Sequence, residues 1–279
     1  MIDRRTLVIA FICLSVTHGI AISEDFNSPR QQDSWGPFEP NAWKLVEITK
    51  QSRAKNGVMV TTSIRETLTK LHQVDDEKVS LQVSVTEKLG GRRINAPIQE
   101  VRHLYVGQFA GETKVADETL ATEDVVIGRK QFRCRVRQVA FSGPRGKRTS
   151  KIYTARKVYP VRIRQETITE STEGSDNGSK TIVELVAFEI PHQVLENVKT
   201  VSHLKTEHTH KRGTTTTLEI LCPEVPGAIV AHWSVTKNAA GQVTERSMLK
   251  LLDYGTQLPE APQRESNRER QRRRSRSGR

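Results

Sequence analysis

Residues 79–86 read Val-Ser-Leu-Gln-Val-Ser-Val-Thr. Val79, Leu81, Val83 and Val85 share one parity, and Ser80, Gln82, Ser84 and Thr86 share the other. Strand side chains alternate between two faces, so this octapeptide reads as a strand with one apolar and one wet face. The pattern extends outward from it. Val58, Val60, Ile64 and Leu68 keep one parity, with Thr62 between them, and Asp75-Asp76 forms the polar turn that joins the two stretches. Asn56-Gly57 marks a hairpin to a strand over 43–54. Further strands are predicted near 98–106, 123–128, 131–141, 150–155, 158–168, 180–190, 198–210, 214–222, 228–237 and 242–253, with tight turns at Gly128-Arg129 and Ala240-Gly241.

Two stretches break the simple alternation. Phe132, Cys134 and Val136 share a parity that Val139 and Phe141 do not, and a β-bulge near Gln138 would reconcile them. In 182–190, Val183, Leu185, Val186, Phe188 and Ile190 are apolar on both parities, which suits a strand in a layered interior or beside a cavity. Residues 110–122 read as a polar connection with a helical turn, and 191–197, opening on Pro191, as one short helix. The loop Ser171–Ser179 divides the chain if there are two sub-sheets. The fold class is mainly β, with curved antiparallel sheet in a half-barrel or sandwich-like arrangement and few short helices. A concave apolar side is expected, partly covered by 107–122 and 191–197.

The ends set the compartment and the charge. Arg4 and Arg5 precede the apolar run Thr6–Val16, and Ala21-Ile22-Ser23 makes a small-x-small site. That order is a secretory signal peptide over 1–23, and the run is too short for a spanning helix. Residues 24–41, with Pro29, Gly36, Pro37 and Pro40, read as a flexible leader to a β domain over 42–258. Residues 259–279 read as a disordered tail, with eight Arg and three Glu from 260 onward. Of the net charge of +12, that tail carries +5 and the signal +1, so the β domain is itself basic. An exported basic chain meets anionic envelope surfaces, while export and the 5% aromatic content weigh against nucleic acid as a partner.

The strand Gly128–Val136 with its cysteine, the turn Val225-Pro226-Gly227 leading to Trp233, and the closing Leu251-Leu252-Asp253-Tyr254-Gly255 resemble a group of uncharacterised exported bacterial proteins. The sheet pattern is similar, more distantly, to periplasmic half-barrels of the lipoprotein-carrier type. That resemblance implies no catalytic residue, and fold alone does not fix function.

Four sets of residues stand out. Cys134 and Cys222 both lie on apolar parities, and two cysteines in an oxidising compartment suit one disulfide. Arg133, Arg135 and Arg137 line one strand face, with Lys147 and Arg148 in the loop that follows and Arg272, Arg273 and Arg274 in the tail. They read as an anion-binding ladder or as a solvated, edge-protecting face. His208 and His210 point the same way from one strand, but two imidazoles fall short of the three or four ligands that zinc takes, and Lys211 and Arg212 follow at once. No Gly-x-Ser-x-Gly, His-Glu-x-x-His or Gly-rich phosphate loop is present, and no cofactor is implied. The reading is a non-enzymatic exported protein that binds an apolar or lipid-like ligand. The alternatives are an envelope interaction protein held by its basic tail, and a metal-dependent enzyme using His208 and His210.

Overall fold

The computed structural model describes residues 29–89, 92–105, 109, 111–144, 146–156, 158–170 and 178–257. The signal, the loop 171–177 and the Arg272–Arg274 cluster lie outside the described residues. Among the described residues, one four-residue helix, α1 (Pro29–Gln32), precedes fifteen strands. These are β1 (Trp43–Arg53), β2 (Met59–Val74), β3 (Lys78–Leu89), β4 (Arg92–Asn95), β5 (Gln99–Leu104), β6 (Thr113–Thr119), β7 (Glu123–Ile127) and β8 (Lys130–Gly143). They continue with β9 (Gly146–Thr154), β10 (Arg162–Glu170), β11 (Ser179–Val194), β12 (Asn197–His210), β13 (Gly213–Leu221), β14 (Ile229–Asn238) and β15 (Val243–Gly255).

All fifteen belong to one antiparallel sheet that does not close. Its order is β4-β3-β2-β1-β15-β14-β13-β12-β11-β10-β9-β8-β6, with β5 also on β3 and β7 also on β8. The chain builds one wing with β1 to β5 and restarts at the far edge with β6. It then meanders back until β15 pairs with β1. β10 and β11 flank 171–177 and pair with each other, so the loop does not divide two sheets. The edge strands carry charge: Arg92 and Arg93 in β4, and Lys114, Asp117 and Glu118 in β6. Such residues discourage a second chain from adding to an open ladder.

The apolar parity of 79–86 is buried at Val79, Leu81 and Val83, but Ser80, on the parity expected to be wet, is buried too and donates to Glu100 at 2.8 Å. Val58 and Val60, by contrast, are exposed. Much of the sheet is therefore a single layer, and the packed core occupies part of its extent. The larger cluster joins Cys134, Val136, Tyr153, Ile163, Leu204, Leu221, Cys222 and Leu251. A smaller one joins Trp35, Ala42, Leu71, Val79, Leu81, Val83 and Tyr105.

Several expectations need correction. Residues 33–42 are not a loose leader. Trp35 is 5% exposed, Asp33 and Ser34 are buried, and the Asp33 carboxylate accepts bonds from the Trp35 and Gly36 amides at 2.8 and 3.2 Å. The predicted helix at 191–197 is instead the end of β11, a turn at Leu195-Glu196 and the start of β12. Within 110–122 lies β6, an edge strand without apolar alternation. No bulge occurs against β9 at Gln138, since the β8–β9 register is unbroken. The parity change arises because β8 switches partners. Its first half pairs with β7 and its second half with β6, so burial passes from one face to the other.

Candidate functional site

The residues singled out by sequence do not assemble into one site. Cys134 and Cys222 are both buried, but as free thiols, and the expected disulfide is absent. Burial raises both thiol pKa values, and the Cys134 thiol donates to the Phe132 carbonyl at 3.4 Å. The arginine ladder is partly neutralised. Arg137 forms a two-pronged pair with Asp117 at 2.6 and 2.5 Å, holding that carboxyl well below the usual range. Arg133 bonds the Thr122 hydroxyl at 3.3 Å. Arg148 pairs with Glu112 at 2.6 Å, with its guanidinium over the rings of Phe109 and Phe141 at 4.5 and 4.6 Å. Arg135 and Lys147 are exposed. His208 and His210 lie side by side, ring centroids 5.5 Å apart. Thr181 shares a hydrogen bond with His208 Nδ1 at 2.8 Å, and the Arg212 amide donates to His210 Nδ1 at 3.1 Å. Among the described residues no group of three His, Cys, Asp or Glu side chains gathers there.

A different place combines irregular backbone, a cleft and an unused polar group. The β11–β12 register shifts between Leu185 and Ala187 and again between Ala187 and Ile190. Val186, Phe188 and Glu189 are thereby left out of the pairing with β12, and the pairing with β10 has already ended at Glu184. Glu189 takes a left-handed φ of 57°, uncommon for a side chain with a Cβ. Such double bulges re-aim side chains and are frequent beside functional sites.

Into this break fits a cleft of about 50 Å³, lined by Tyr159, Phe188, Glu189, Thr200, Ser202 and Pro223. Tyr159 lines the cleft, its hydroxyl is buried with no hydrogen-bond partner among the described residues, and burial raises its pKa well above the ordinary range. Leaving such a group unpaired costs about 1–3 kcal/mol. The Ser202 hydroxyl donates to the Tyr159 carbonyl and ties the covering segment to β12. Phe188 packs edge-on against Phe132 with centroids 5.3 Å apart, and Lys130 Nζ lies 4.9 Å from its ring centre. Val198 lies two residues from Thr200, on the same side of β12, and is 69% exposed. Val186 and Ile190, either side of the bulge, are also exposed. The apolar run 185–188 carried this signal in the sequence, because period two fails there.

A second cluster is buried deeper. Glu219 and His232 face each other across β13 and β14. Desolvation pushes Glu219 up to about 7, against the attraction of Lys44, and His232 down to about 4. Lys44 lies at 5.6 Å from the Trp35 ring centre and donates to the Gly227 carbonyl at 3.1 Å. Desolvation lowers its pKa to about 8, with Glu219 opposing. Perturbed groups of this kind occur in active sites. Here Trp35 and the Gly227 turn cover them: the Gly227 amide donates to the Ser34 carbonyl at 2.9 Å. The cluster reads as a linkage between the 33–42 segment and the sheet. A comparison with protein-family models found no match, and a comparison with curated proteins found none either.

Proposed function

We propose that this chain is an exported, non-enzymatic binding protein that takes the end of an apolar or lipid-like ligand into the cleft at the β11 bulges. The observation that carries the reading is a cleft at the bulges walled by Phe188 and Pro223 and lined by Tyr159, a residue whose hydroxyl is buried without a partner among the described residues. A mostly apolar wall with a few polar side chains, here Tyr159, Glu189, Thr200 and Ser202, is the composition that orients an amphiphile. The cleft holds only a small part of a ligand, and the rest would lie along exposed Val198. Export rests on the pattern at 1–23. The tail-mediated envelope reading remains the alternative. The His208–His210 reading has less support, since both rings already accept or share local hydrogen bonds.

Titration of the mature protein with a fluorescent fatty acid tests the proposal. Saturable uptake is expected, weakened about fivefold by Tyr159→Phe, the size of one ordinary hydrogen bond. Phe188→Asp should weaken it more strongly, with circular dichroism reporting whether that variant still folds. Absent uptake at micromolar protein, or equal uptake by wild type and Tyr159→Phe, would overturn the reading.

A further inference from the structure

Strands β13, β14 and β15 bury one face, and the other, still buried at Ile220, is open one row further on. On the buried face Glu219, His232 and Leu249 form a cross-strand row, each less than a tenth exposed. Alternation turns the next row outward, and there Leu218, Trp233 and Met248 pair in register. They are 37%, 45% and 46% exposed, whereas Trp35 and Trp43 are buried. Scattered exposed apolar side chains are ordinary. A Leu-Trp-Met row, contiguous across three strands on the wet face, marks an interaction surface.

Charge on that face indicates the partner. Arg246 and Lys250 lie two residues either side of Met248, and Lys237 lies four beyond Trp233, all exposed. None makes an ion pair with a described residue. Glu47, opposite Lys250, is drawn instead toward Lys88 at 3.7 Å, and Gln51 stands opposite Arg246. Beyond Leu218, Lys205 is held by Glu184 and Glu207 at 3.8 and 3.4 Å, so that side is near neutral. The patch therefore has an apolar centre, a tryptophan in its middle and uncompensated cations at the β14–β15 side.

We infer that this face docks on an anionic lipid bilayer. A tryptophan suits the headgroup level, leucine and methionine enter the acyl boundary, and the cations meet lipid phosphates. The surface is separate from the β11 cleft and stands on different residues.

The full mature chain is mixed with vesicles of equal parts phosphatidylglycerol and phosphatidylcholine, with phosphatidylcholine vesicles alone, and with anionic vesicles brominated in the acyl chains. The expected result is binding to anionic vesicles that weakens with salt, with bromine quenching tryptophan emission. Because Trp35 and Trp43 are buried, that quenching should vanish in Trp233→Phe. The double variant Arg246→Glu, Lys250→Glu should lose affinity by at least about 25-fold, each basic residue near an anionic leaflet contributing roughly fivefold. Fatty-acid uptake by these variants should be unchanged, which separates this surface from the cleft. No binding to anionic vesicles overturns the inference. So does binding without Trp233 quenching and without loss in the double variant, which would assign adhesion to another basic part of the chain. A soluble protein that protects Trp233 while vesicles do not would also overturn it.

Discussion

Glu219 and His232 are two buried groups whose titrations oppose each other. The Glu219 carboxyl is raised to about 7 in the fold, against an ordinary value near 4.5. The folded state takes up that proton first as pH falls, so Glu219 makes the protein more stable on acidification from about 7 to 4.5. His232 is depressed to about 4 from 6.5, so the unfolded chain takes up the histidine proton first and stability is lost as pH falls through that window. Each displacement is worth roughly 3 kcal/mol. The pair should therefore leave stability nearly flat between about pH 6.5 and 4.5. His232→Gln removes one arm. Relative to wild type, that variant should gain up to roughly 3 kcal/mol on going from pH 7 to pH 4.5. Urea unfolding of both proteins at the two pH values measures it, and parallel pH profiles would count against the opposed pair. The sequence does not pair these two residues. Glu219 sits on the same parity as Leu221, inside an otherwise threonine-rich strand, and only the strand pairing reveals that it faces His232 in the core.

At the scale of elements, the strands with clean alternation were legible and the rest were not, for physical reasons. β3 shows its buried face in its residues, whereas β4 reads Arg-Arg-Ile-Asn and is exposed throughout. Backbone pairing, the Arg93–Glu66 ion pair and the Thr86–Asn95 hydrogen bond hold this strand, so no hydrophobic pattern announces it. Pro191 suggested a helix start, yet it stands late in β11, opposite Thr200. The loose leader was inferred from turn residues, but Trp35 gives it an anchor that composition averages away. The β12–β13 hairpin makes a sharper prediction. Gly213 has a φ of 147°, and a Cβ there would come within 1.9 Å of the Lys237 carbonyl oxygen on β14. Gly213→Ala must push neighbouring backbone aside and should destabilise by at least about 2 kcal/mol. Calorimetric melting of the variant is the check, and a melting temperature equal to wild type would contradict this packing.

For the whole molecule, the antiparallel meander could be read from the strand sequence, but the jump from one edge of the sheet to the other could not. That jump depends on β15 pairing with β1 across the whole length of the chain, a contact no local pattern encodes. The cleft belongs to the same category. Tyr159 comes from the β9–β10 connection, Phe188 from β11, Ser202 from β12 and Pro223 from the β13–β14 connection. The apolar run 182–190 hinted at a cavity, while the other walls are set by topology. The anion ladder, legible as a charge pattern, proved partly occupied because β6 brings Asp117 against Arg137. The central claim, that a lipid-like ligand enters at the β11 bulges, is tested most directly by photo-crosslinking the mature protein with a fatty acid carrying a terminal diazirine and mapping the label by peptide mass. Label is expected on peptides containing Tyr159, Phe188–Glu189 or Thr200–Ser202, competed away by unlabelled fatty acid. Label confined to other segments, or label that unlabelled fatty acid does not displace, would contradict it.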